Sequence, residues 1–89
     1  MKNLNRFTIQ VKKGKNGLDV FLNTGGDNHY IATRRPNDLL RKRLSGGISL
    51  GELKRAKPRS SSRGEQKYYE STRFLLRIVD EFINQELAA

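Results

Sequence analysis

A chain of 89 residues with 18 Lys and Arg against 9 Asp and Glu, a net charge of +9, has room for one small domain and little for a deep pocket beside its core. It contains no Cys and a single His, which excludes disulfide staples, thiolate metal centres, a Cys nucleophile and a His-built metal site. It holds no apolar run of the ~18 residues a membrane span requires, and Met1-Lys2-Asn3-Leu4 lacks the apolar stretch of a secretory signal, so a cytoplasmic protein is expected.

Phe7-Thr8-Ile9-Gln10-Val11-Lys12 alternates apolar and polar, which places Phe7, Ile9 and Val11 on one face of a strand. Asn16-Gly17 is the dipeptide of a tight hairpin turn, and a second strand follows over Leu18 to Asn23. Thr24-Gly25-Gly26-Asp27-Asn28 is turn chemistry again, and His29 to Arg34 completes a three-stranded antiparallel β-meander within residues 1–35. Two-residue loops at Asn16-Gly17 and Gly25-Gly26 set Val11 opposite Leu22, Lys12 opposite Phe21, Phe21 opposite Tyr30, Val20 opposite Ile31 and Leu22 opposite His29. Ile9, Val11, Val20, Leu22 and Ile31 then share the core face, with Thr8, Gln10, Lys12, Phe21, Tyr30 and Ala32 on the other.

Pro36 ends the third strand. Residues 36–57 hold two short basic helices. The first runs from Asn37 to Leu44, capped by Asn37 or Asp38 and closed by Ser45-Gly46-Gly47. The second opens on the capping box Ser49-Leu50-Gly51-Glu52, with Ile48 and Leu53 as its hydrophobic staple, and cannot pass Lys57 because Pro58 follows. Residues 58–64, polar and rich in serine, read as a linker loop. Glu65 to Leu87 is a helix of about six turns. Its stripe is Tyr68, Thr72, Leu75, Val79 and Phe82, flanked by Leu76, Ile78 and Ile83. Arg77 can pair with Glu81 on its outer face, while Phe74 falls outside the apolar arc. The expected architecture is a single α+β domain: a meander, two short helices, and a long C-terminal amphipathic helix packed on the sheet.

The positive charge is concentrated. Residues 34–63 carry ten Lys or Arg against Asp38 and Glu52, a local +8, whereas the chain from Tyr68 onward is locally −2. Arg outnumbers Lys seven to three in that stretch, which favours the planar, bidentate recognition of phosphate. The candidate nucleic-acid contacts are Arg34, Arg35, Arg41, Lys42, Arg43, Lys54, Arg55, Lys57, Arg59 and Arg63. Phe21 and Tyr30, a cross-strand aromatic pair beside Lys12 and Gln10, are candidate base-stacking residues; a second apolar layer under a helix would explain them equally.

The expected function is therefore non-enzymatic binding of nucleic acid through a central basic patch, with RNA slightly favoured over DNA. The alternative is a protein-interaction module that docks a partner by its sheet edge or C-terminal helix, the basic patch meeting an acidic surface. The same helix is also a candidate surface for a homodimer. Catalytic residues, metal, cofactor and small-molecule substrate are not. His29 has no base, nucleophile or carboxylate cluster near it in sequence, and Asp80 and Glu81 diverge by about 100° around a helix. Gly46-Gly47 lacks the spacing of a phosphate loop. Residues 37–57 match a helix-turn-helix poorly, because Lys42 or Arg43 stands where close helix contact needs a small residue. In element order, a three-stranded meander followed by a helix resembles the arm-binding domains of phage-type integrases, which lay a sheet in the DNA major groove; no residue is carried over from that resemblance.

Overall fold

Alternation in the first third and helical periodicity in the last produce a sheet covered on one face. A computed structural model describes residues 6–87; the Met1–Leu4 start considered above for a leader lies outside the described residues. The elements are β1 (Thr8–Gly14), β2 (Gly17–Asn23), β3 (Asn28–Arg34), α1 (Asp38–Leu44), β4 (Ile48–Ser49), α2 (Leu50–Arg55) and α3 (Arg63–Phe82), with a π-helical turn, Ile83–Leu87, continuing α3. The strands form one antiparallel sheet in the order β3-β2-β1-β4.

β4 is an addition to the expected meander. Ile48 and Ser49 pair with Ile9 and Thr8, and the amide of Leu50 donates to the Phe7 carbonyl at 2.8 Å. Two residues are too few for a periodicity signal, and Ile48 serves here as strand rather than only as staple. This short strand also separates α1 from α2, so the segment 37–57 is not a helix-turn-helix.

The hairpin registers differ from expectation in two places. Val11 opposes Val20 rather than Leu22, and Lys12 opposes Asp19 rather than Phe21, because Gly14 and Gly17 close the ladder and Lys15-Asn16 forms the loop. Gly17 at the start of β2 has a φ of 135°, which belongs to glycine, and a methyl group there would overlap the carbonyl oxygen of Arg34 on β3. A shift by two leaves every side chain on its expected face, so the core assignment survives. Gly17→Ala is expected to lower stability by about 2–3 kcal/mol, measured by urea denaturation, while an Ala at the open Gly26 position, where nothing crowds a methyl, costs far less.

Phe21 faces Tyr30 and Leu22 faces His29 as expected, but Val20 opposes Ala32 instead of Ile31. A bulge between those pairs adds a residue to β3, which turns Ala32 to the core side and carries Arg34 with it. Arg34 thereby reaches α3, where its guanidinium lies 4.2 Å from the centroid of Phe74. This contact explains Phe74, which stands outside the apolar stripe and remains 41% exposed.

One core joins sheet and helices. Ile9, Val11, Val20 and Leu22 from the sheet meet Leu40 and Leu44 of α1, Leu50 and Leu53 of α2, and Tyr68, Leu75, Leu76, Val79 and Ile83 of the C-terminal helix, all buried. The apolar stripe of α3 is thus spent within its own chain, and Phe82 at its end is half-buried against the His29 ring at 5.3 Å. Buried Thr72 donates to the Tyr69 carbonyl at 2.8 Å.

Each helix begins on a side-chain cap. Asn37 Oδ1 accepts from the Leu40 amide at 3.0 Å, and Ser49 Oγ accepts from Glu52 at 3.2 Å. α3 starts at Arg63, two residues earlier than expected, because Ser62 Oγ accepts from the Glu65 amide at 3.3 Å. The last two residues assigned to the linker therefore belong to helix. Among the described residues the ion pairs are Arg43–Glu65 and Lys54–Asp80; Arg77 and Glu81 do not pair.

Candidate nucleic-acid interface

The fold sorts nine of the ten cations expected to form one patch into three groups and leaves Lys42 apart on α1. The first is structural. The guanidinium of Arg43 donates both of its terminal nitrogens to the Glu65 carboxylate, which also accepts from the Arg59 amide at 3.2 Å. The same guanidinium lies 4.6 Å from the centroid of Tyr68. These hydrogen bonds hold the Glu65 carboxyl below the usual carboxylate range, against the opposing effect of burial, and raise Arg43 further above its already high value. Burial pushes the Tyr68 phenol up, with Arg43 pulling the other way. Lys54 is committed more loosely, its Nζ 3.2 Å from Asp80 Oδ1 in a partly exposed pair. Arg43 and Lys54 thus pair with carboxylates of α3, Lys54 while still partly in solvent, a pairing hidden by separations of 22 and 26 residues.

The second group surrounds the junction of β3 and α1. A crevice of about 360 Å³ is lined by Arg34, Arg35, Pro36, Lys67, Glu70 and Phe74. A second shares Pro36 and Asn37 with it and is lined also by Lys13, Lys15, Asp38 and Arg41. Sequence reasoning missed Lys13, Lys15 and Lys67 as members. The run Lys12-Lys13-Gly14-Lys15 at the hairpin tip was a visible signal for the first two, since a strand order placing β1 and β3 on either side of β2 brings that tip beside the end of β3.

The third group lies around the chain between α2 and α3. Lys57 and Arg59 line a separate cleft with Arg43, Glu52 and Tyr68. Arg55 is exposed at the end of α2, and Arg63 in the first turn of α3. Lys42 is exposed on α1 between Arg41 and Arg43.

Phe21 and Tyr30 sit on the sheet face that no helix covers. Their rings meet edge to face at 6.0 Å and 70°, and the Lys12 ammonium is 5.7 Å from the centroid of Phe21. The alternative of an apolar layer beneath a helix is excluded, because the helices pack against the opposite face and Tyr30 is 57% exposed. His29, on the core side, is held between Phe82 and the Thr24 hydroxyl, 3.3 Å from its Nε2.

Among the described residues no helix is long and apolar enough to cross a membrane, and no three His, Asp or Glu side chains stand together as a metal site. No protein-family model, curated protein or solved structure matches the chain.

Proposed function

We propose that this protein binds nucleic acid without chemically altering it, taking phosphates in the paired crevices that meet at Pro36 and Asn37. One observation carries the reading. Lys13, Lys15, Arg34, Arg35, Arg41 and Lys67 come from four separate segments yet line two adjoining crevices, whose linings hold only two carboxylates, Asp38 and Glu70. Six cations brought together against two anions repel one another, and a phosphate backbone relieves that repulsion while releasing its own counterions. Arg35 and Arg41 are exposed and, unlike Arg43, bound to no carboxylate. Lys42, Arg55, Lys57, Arg59 and Arg63 extend the positive field and act at longer range.

The test is a titration of single- and double-stranded oligonucleotides at increasing salt, comparing the wild type with Arg35→Ala/Arg41→Ala. Wild-type affinity is expected to fall log-linearly with salt, with a slope of about 0.9 per phosphate neutralised on duplex and about 0.7 on single strands. The double variant should bind more weakly to every sequence and lose about 1.4–1.8 from that slope, the contribution of two contacts. Negligible wild-type binding in every mixture overturns the reading, and so does affinity indifferent to salt.

A further inference from the structure

The sheet has one face committed to the core and one bare. Crossing the bare face from the β1–β2 turn, successive rows are Lys12-Asp19-Thr33, then Gln10-Phe21-Tyr30, then Thr8-Asn23-Asn28. The middle row carries the two aromatic rings. Tyr30 leaves more than half of its surface in water, next to the half-buried Phe21 ring. It is also held in place: its hydroxyl hydrogen-bonds that of Thr33, which in turn donates to Asp19 Oδ1 at 3.0 Å. A ring fixed in this way loses little freedom when a ligand stacks on it.

Charge decides what the occupant is. Lys12 stands beside Phe21, and Gly17, which lines one of the cationic crevices, lies four residues from Phe21, about 13 Å along the strand; Lys13 and the buried Leu18 line the same crevice from the core side, so a path between the two turns round the end of the sheet. A second copy of this chain would bring another +9 against the same face. A strand with unpaired bases offers flat rings to Phe21 and Tyr30 and phosphates to the cations.

We infer that the bare sheet face is a platform for unpaired nucleobases, which stack on Tyr30 and Phe21 while the backbone runs past Lys12 into the crevices at Pro36. This rests on the nucleic-acid reading above and adds to it the strandedness of the ligand and the surface that reads it. Bases inside a duplex cannot reach the rings.

The experiment measures fluorescence anisotropy of a labelled mixed-sequence strand, as RNA and as DNA, and of the duplex made by annealing each to its complement. The proteins are the wild type, Tyr30→Ala, Tyr30→Phe and Arg35→Ala/Arg41→Ala. Tyr30→Ala is expected to weaken single-strand binding about 5- to 100-fold, the loss of one base–aromatic stack, with the salt slope and duplex binding unchanged. Tyr30→Phe keeps the ring and should keep most of the affinity. Equal losses on RNA and DNA support a platform indifferent to the sugar; a larger loss on RNA supports one that holds RNA. Single-strand binding by Tyr30→Ala as tight as that of the wild type overturns the platform and leaves the phosphate crevices standing. Binding of no oligonucleotide by the wild type overturns both.

Discussion

Glu65→Ala is expected to melt on the order of 10 °C below the wild type, a larger loss than any exposed cation variant, because it removes one partner of a shielded ion pair. The carboxylate joins three parts of the chain: Arg43 near the end of α1, the Arg59 amide in the connecting loop, and the first turn of α3 on which Glu65 sits. Without it the partly buried Arg43 guanidinium, 4.6 Å from the Tyr68 ring centroid, has no counter-charge. The pH dependence has a definite sign. Arg43 holds the folded Glu65 carboxyl below the ordinary glutamate value, so the unfolded chain takes up the proton more readily. Stability from this pair is complete above the ordinary glutamate value of the unfolded chain and drains away as pH falls through the lower folded one. Urea midpoints measured across the acid range should therefore decline steeply for the wild type and more gently for Glu65→Gln. Identical acid limbs in the two proteins would show that the pair does not carry this dependence.

Leu75→Ala is expected to cost about 2–5 kcal/mol. That is a large part of the on the order of 5–10 kcal/mol that stabilises a domain of this size. Leu75 is fully buried in the single core shared by the sheet and all the helices, so the vacated volume has no flexible wall to fill it. Its neighbour gives the contrast. Phe74→Ala removes a larger ring yet should cost only about 1 kcal/mol, since Phe74 is 41% exposed and its described partner is the Arg34 guanidinium. Equilibrium unfolding in urea of the two variants compares one helical turn's inner and outer faces directly. Similar losses from both would mean that the stripe of α3 is not packed as described.

Much of the fold is legible along the chain because its signals are local. The alternation from Phe7 to Lys12 assigns faces through the two-residue period of a strand, and those assignments hold even though the register of β1 on β2 is displaced by two. Asn37 and Ser49 announce helix starts by the chemistry of their own side chains. Ser62-Arg63-Gly64-Glu65 carries the same capping signature as Ser49 to Glu52 but is masked by the serine and glycine content around it. The site was less legible. The concentration of Arg in residues 34–63 marked a cationic region, yet it did not distinguish Arg43, which is tied to Glu65, from Arg35 and Arg41, which are not.

From residue order alone come the class of fold, the inward and outward faces of β1 and β2, the amphipathic helix and the surplus of positive charge, since each depends on neighbours within a few positions. Only the folded chain decided that Lys13, Lys15 and Lys67 join Arg34, Arg35 and Arg41, that Arg43 and Lys54 pair with carboxylates of α3, and that Tyr30 stands in water beside a half-buried Phe21. Those outcomes depend on how strands order themselves and where a bulge falls. Electrostatic and packing contacts between segments far apart in the chain leave no periodic trace in it.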